Sequence, residues 1–189
     1  MERFEAGDAL LIVDMQNDFC PGGALAVPRG DEVVAVLNRW IEKARHESIP
    51  VFASRDWHPA NHVSFKDRGG PWPPHCVQHT PGAEFHSGLT LPGEAQVVSK
   101  GIDPDKDSYS AFGGTGLAEL LGDAGTRRLW IGGLAQDYCV KASAMDAAQL
   151  GIEVHLIAEG TFPVNIRPED GDKALQEMRD AGVIVERVA

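Results

Sequence analysis

Short apolar runs closed by turn residues alternate along this chain with stretches of helical spacing, and few architectures accept that order. A strand that is apolar along its whole length needs cover on both faces, and parallel sheets gain that cover from the helices that cross between their strands. Such runs fall at residues 9–13, 50–54, 95–99, 128–132, 153–158 and 183–186. Between them, residues 31–45 bring Val33, Val34, Leu37, Trp40, Ile41 and Ala44 near helical spacing, and residues 138–150 and 169–180 carry similar patterns. The pattern predicts a three-layer, doubly wound α/β fold on a mostly parallel sheet of about six strands. A chain of 189 residues can bury a sizeable core without staples, so one domain over residues 1–189 is expected.

Charge narrows the partners. With 28 acidic and 17 basic side chains the net charge is -11, which repels phosphate backbones and anionic headgroups, so neither nucleic acid nor a membrane surface is expected to bind. The apolar run at 9–13 is far shorter than the ~20 residues of a membrane-spanning helix. Residues 1–8 carry Glu2, Glu5 and Asp8 and no apolar signal core, which points to the cytoplasm. Three cysteines in a reducing compartment read as free thiols, ligands or catalysts rather than a disulfide framework.

Residues 55–93 break the alternation. This stretch is rich in His, Pro, Gly and Trp, and loops of that length are usually functional or disordered; its tryptophans and prolines argue for an ordered loop. It holds five of the seven histidines: His58, His62, His75, His79 and His86. Asp56-Trp-His58 adds a carboxylate beside an imidazole, and mixed oxygen and nitrogen donors suit a divalent cation, with a solvated polar loop as the plainer alternative. Zinc, iron and manganese all accept such donors.

Ligands of open α/β sheets bind beyond the carboxyl ends of the strands, where the winding reverses. Asp14 ends the first expected strand, Asp56 and His58 follow the second, Lys100 ends the third, and Cys139 follows the fourth at a strand-to-helix turn. Standing alone, Cys139 reads first as a small buried apolar residue, Asp14 as a turn former and Lys100 as a surface lysine. Together they offer a thiol, a carboxylate to take its proton and an ammonium to lower its pKa, and a helix amino terminus at Cys139 would favour the thiolate. Cys20 and Cys76 lie in loops with no helix start behind them and read as packing thiols. The lone Gly113-Gly-Thr-Gly116 has no strand directly before it and carries no phosphate-binding role.

Four segments then occur in a telling order: Val13-Asp-Met-Gln-Asn-Asp-Phe-Cys-Pro-Gly-Gly-Ala-Leu25, Asp56-Trp-His-Pro-Ala-Asn-His-Val-Ser-Phe65, Trp72-Pro-Pro-His-Cys-Val77 and Ala135-Gln-Asp-Tyr-Cys-Val140. They resemble the signature segments of the nicotinamidases and pyrazinamidases among the isochorismatase-like hydrolases, over nearly the whole chain. The resemblance implies that fold and a catalytic triad of Asp14, Lys100 and Cys139. It also implies one divalent metal, zinc first and iron or manganese as alternatives, held by Asp56, His58 and His75. His62 is implied either as a further ligand or as a hydrogen-bond partner behind them. Phe19 and Trp72 match residues lining the pyridine pocket, and the Ala135 and Cys139 amides match the oxyanion hole. A cis peptide is implied between Leu134 and Ala135, and Gln136 stands where relatives commonly carry threonine.

The implied activity is hydrolysis of nicotinamide to nicotinate and ammonia through a cysteine thioester, as in NAD salvage, with pyrazinamide a further substrate and the metal gripping the ring nitrogen. A cysteine hydrolase acting on another small amide or carbamoyl compound is the alternative, but it would have little use for the Asp56, His58 and His75 cluster. A non-catalytic metal-binding protein would leave the lysine and thiol without purpose. Assembly into a homo-oligomer is left open by the sequence.

Overall fold

The computed structural model describes residues 4–186. Six strands, β1 (Asp8–Val13), β2 (Val51–Asp56), β3 (Gln96–Lys100), β4 (Arg128–Leu134), β5 (Glu153–Phe162) and β6 (Ile184–Glu186), form one sheet in the order β3-β2-β1-β4-β5-β6. Every neighbouring pair is parallel. The chain winds outward from β1 through β2 to β3, returns to β4 on the other side of β1, and continues outward. The winding therefore reverses between β1 and β4, which opens a crevice beyond their carboxyl ends.

The unbroken apolar run in β1 has a simple cause. Leu10 and Ile12 face a core shared with Leu37, Trp40 and Ile41 of α1 (Val33–His46), whereas Ala9, Leu11 and Val13 face the opposite core. That second core takes Leu117 and Leu121 of α2 (Leu117–Asp123), Ala144 and Ala147 of α3 (Lys141–Gln149) and Met178 of α4 (Asp170–Asp180). Helices thus cover both faces, and the three-layer α/β expectation holds. Among the described residues no helix is long and apolar enough to cross a membrane.

Departures from the expected elements are local. A 3-10 turn over Gly30–Glu32 precedes α1, and β5 runs on to Phe162 across a register shift against β4 between Ile131 and Gly133. Helix α2 has no counterpart in the sequence expectation: seven residues with only Leu117 and Leu121 buried are too few to display a period. The glycine stretch before it supplies left-handed turns, with Gly116 at φ 75 as the helix cap. Residues 55–93 contain 3-10 turns at Lys66–Arg68 and Pro81–Ala83 and isolated bridges such as His58 to Val77, so this long loop is ordered by its own bonds.

Candidate active site

The last residue of β1, Val13, is in register with Ser54 of β2 and Gly133 of β4. A Cβ on Gly133 would lie 2.0 Å from the Val13 carbonyl oxygen, so only glycine lets the two strands pass this closely. Asp14 then turns the chain out of the sheet with φ 46 and leaves its carboxylate fully buried. Its Oδ1 accepts a hydrogen bond from Ser54 Oγ at 2.7 Å. Its Oδ2 lies 3.0 Å from Lys100 Nζ, an ion-pair distance without hydrogen-bond alignment.

Lys100 ends β3 in register with Asp56, the last residue of β2, and its ammonium is almost wholly buried. Nζ donates to Asp56 Oδ1 and stands 3.5 Å from Cys139 Sγ. Burial alone would discharge such an amine, but the Asp14 and Asp56 carboxylates outweigh it and hold the pKa well above the ordinary lysine value. Burial also opposes the charge on Asp56, yet Lys100 and His58 hold that carboxyl below the usual range. At Asp14 burial wins over the attraction of Lys100 and the pKa is raised.

Strand β4 ends at Leu134, whose peptide bond to Ala135 is cis, as the resemblance implied. A π-helical turn, Gln136–Val140, follows and runs directly into α3, so Cys139 stands inside that turn rather than at the first residue of an α-helix. The help that a helix start was expected to give the thiolate is outweighed here. Burial pushes the Cys139 thiol well above its ordinary pKa, and the lowering effect of Lys100 does not compensate. One oxygen of Asp14, one of Asp56 and the Cys139 sulfur all lie within 4.8 Å of one another, so the thiol has a buried proton acceptor in reach. Cys20 is a buried free thiol that burial pushes up to about 11, and Cys76, a buried free thiol next to His75, accepts at its carbonyl from the His58 N–H at 3.0 Å.

Asp56, His58 and His75 present one donor atom each within 4.8 Å of one another. His58 Nε2 lies 3.5 Å and His75 Nε2 3.8 Å from Asp56 Oδ2. The other ring nitrogens are pinned by backbone: His58 Nδ1 donates to the Gly101 carbonyl at 3.1 Å and His75 Nδ1 to the Pro73 carbonyl at 2.8 Å. In those tautomers both Nε2 lone pairs point at the cluster, the arrangement a divalent cation needs from imidazole ligands. His62 does not join them. Its Nδ1 bonds Ser64 Oγ at 2.8 Å and its Nε2 the Lys106 carbonyl at 2.9 Å, while its ring stacks on His58 at 4.1 Å.

Phe19 and Trp72 both face the cavity over Cys139, which Leu25, Tyr109, Tyr138 and Val164 complete. Phe19 tilts against the His75 ring at 5.7 Å, and Trp72 packs edge-on to Tyr138 at 5.2 Å while its Nε1 donates to Tyr109 Oη at 3.1 Å. The result is a cavity walled by aromatic rings, with Cys139, Asp56 and His75 also lining it.

The sequence profile of the isochorismatase domain matches residues 8–189. The chain belongs to the isochorismatase family. It is 45% identical to a nicotinamidase of Escherichia coli (strain K12), over 96% of this chain and 95% of that protein. The crystal structure of a pyrazinamidase of Pyrococcus horikoshii in complex with zinc superposes with a TM-score of 0.92 at 47% identity, covering 96% of this chain and 99% of that one. PnC1 from L. infantum in complex with nicotinate superposes with a TM-score of 0.88 at 39% identity, covering 99% and 96%.

Some contacts of this isochorismatase-family site carry no sequence signal. Tyr109 and Val164 lie outside every segment that carried the resemblance, and Leu25 and Tyr138 lie within such segments without a role assigned to them. Asp137 and Gln136 brace the cysteine turn. Asp137 accepts from the Val164 and Asn165 N–H groups at 2.9 and 3.0 Å, and Gln136 Nε2 donates to the Gly171 carbonyl at 3.0 Å. Gln136 thus ties the turn to α4.

Proposed function

We propose that this chain hydrolyses nicotinamide to nicotinate and ammonia by way of a thioester on Cys139. The observation that carries the reading is the buried Lys100 ammonium, which touches the Asp56 carboxylate of the donor cluster and stands 3.5 Å from the thiol, under a cavity walled by aromatic rings. The nicotinamidase relatives and the nicotinate-bound neighbour support the same substrate.

In the proposed cycle the flat ring slides between Phe19 and Trp72 with its carboxamide over Cys139. Asp14 takes the thiol proton; its own raised pKa makes it a stronger base than an ordinary carboxylate, and Lys100 steadies the thiolate as it forms. The sulfur attacks the carboxamide carbon, and the Ala135 and Cys139 N–H groups hold the oxyanion. Asp14 returns the proton to the leaving nitrogen, so ammonia departs and a thioester remains. Water then gives one proton to Asp14 and attacks the thioester, the carbon–sulfur bond breaks, Asp14 returns that proton to sulfur, and nicotinate leaves with the second proton released to solvent, where ammonia takes it up. A divalent cation, zinc in the first instance, would be held by Asp56, His58 and His75 and would supply an electrophilic anchor for the pyridine nitrogen. His62 braces His58 from behind, pyrazinamide is a second substrate, and the free cysteines suit a cytoplasmic role in NAD salvage by one domain. A hydrolase for another small amide is the weaker reading, because it gives the donor cluster no task.

The test is ammonia release from nicotinamide by enzyme stripped of metal and then refilled with zinc, manganese or iron. The reading expects activity to vanish on stripping and return on refilling. Full activity in the stripped protein, or no ammonia from the refilled one, overturns it.

A further inference from the structure

Strands β1 and β2 pair in parallel up to Val13 and Ser54, and the next alternate partner for Asp56 would be residue 15. That partner is missing. Asp14 has turned the backbone away, the Met15 carbonyl is taken by the His86 N–H at 2.8 Å, and the Gln16 backbone bridges to Phe85. The gap beside Asp56 is filled instead by a side chain. Gln16 Oε1 accepts from the Asp56 N–H at 2.8 Å and Gln16 Nε2 donates to the Asp56 carbonyl at 2.7 Å, the pair of bonds a neighbouring strand would have given. The second Nε2 hydrogen goes to the Ala83 carbonyl at 2.9 Å. One N–H and two carbonyls as partners leave no doubt which end of the amide is which.

On its other side Asp56 is in register with Lys100, whose carbonyl accepts from the Trp57 N–H at 2.9 Å. The Asp56 backbone is thereby clamped from both flanks, and its carboxylate is divided, Oδ1 to Lys100 and Oδ2 towards His58 and His75. We propose that Gln16 is a positioning residue that sets Asp56 for both tasks, counter-ion to the lysine beside the thiol and ligand in the cation site. Only an amide offers a donor and an acceptor at the spacing of a peptide unit, and asparagine is one methylene too short to reach from position 16. The inference rests on the metal and lysine roles proposed above.

The experiment uses Gln16→Met, which keeps length and shape without hydrogen bonds, and Gln16→Glu, which keeps the acceptor and loses both donations. Zinc affinity is measured by competition with a chromophoric chelator, and kcat and KM by ammonia release at saturating zinc. Loss of such an outer support should weaken zinc binding by about 10- to 100-fold, and kcat should fall by about tenfold or more even with the site filled, since the lysine beside the thiol loses its fixed counter-ion. A residue needed only for folding would lower Tm while folded protein kept zinc affinity and kcat within about twofold of wild type, and that result overturns the proposal. Amide exchange in the metal-free wild-type protein adds a reading that needs no variant. The Asp56 N–H should be protected as strongly as that of Ala53 in the middle of β2, and rapid exchange there also overturns it. Zinc affinity and exchange decide the matter even if nicotinamide proves not to be the substrate.

Discussion

Gly101→Ala perturbs the donor cluster without replacing any of its donors. Gly101 has φ 63, and a Cβ built on it would sit 2.3 Å from His58 Cε1 and 2.4 Å from His58 Nδ1, whereas ordinary contact begins at 3.4 Å. The ring must retreat by about 1 Å, and His62 blocks the retreat because it stacks on His58 and is itself held by Ser64 and Lys106. Alanine in the left-handed region costs about 1–2 kcal/mol, and forcing two packed rings apart adds about 1–3 kcal/mol. A total near 3 kcal/mol should lower Tm by roughly 6–12 °C in a chain of this size. The larger consequence is for binding, because metal-ligand distances tolerate only about 0.2 Å. Zinc affinity should therefore fall by about 100-fold or more, as read by chelator competition, with Tm followed by circular dichroism in stripped protein. Wild-type zinc affinity and melting in Gly101→Ala would refute the packing argument and the assignment of His58 to the site.

Three further outcomes are expected. Cys139→Ala should abolish ammonia release while zinc content and fold persist, whereas Cys20→Ser should retain most of the activity; turnover by Cys139→Ala would remove the nucleophile assignment. Benzamide, which keeps the ring shape but lacks the ring nitrogen, should be hydrolysed at least about 100-fold less efficiently than nicotinamide, since a lost anchor of a few kcal/mol costs a factor of ten per ~1.4 kcal/mol, while pyrazinamide should be a true substrate; equal kcat/KM for benzamide would assign the cluster another role. Far from the site, burial opposes the charge on Asp8, but Arg128, the Glu5 N–H and Trp130 outweigh it and hold its carboxyl below the ordinary range. A depressed carboxyl contributes stability that is full above its unfolded pKa and lost as pH falls through its folded one, so Asp8→Asn should lower Tm at pH 7 and the gap to wild type should close below about pH 4. A gap that stays constant down to acid pH would contradict this.

The strands were legible because β1, β2 and β4 are buried on both faces and leave no polar alternation to misread. The site was marked where the chain leaves the sheet, by Asp14 just after β1, Asp56 at the end of β2, Lys100 at the end of β3 and Cys139 in the turn that follows β4. What escaped the sequence depends on long-range geometry. Helix α2 makes its period with two leucines, and the end of β5 depends on a register shift against β4. Tyr109 and Tyr138 become neighbours only when their segments fold over Cys139, with ring centroids 5.3 Å apart. The balance at the thiol also escaped, because a helix start favours the anion, while the depth of burial that opposes it belongs to the packed fold. Gln16 is the clearest case: in the sequence it is one polar residue among several after β1, and only the outward turn at Asp14 brings its amide against the Asp56 backbone.

The central claim is a covalent one, and intact-protein mass spectrometry of zinc-loaded enzyme, quenched in acid during steady turnover of nicotinamide, tests it most directly. The account predicts a nicotinoyl adduct that maps to the peptide bearing Cys139, disappears when substrate is exhausted, and is absent from Cys139→Ala. Steady ammonia production with no acylated enzyme at any quench time, in a protein where Cys139→Ala still turns over, would contradict it.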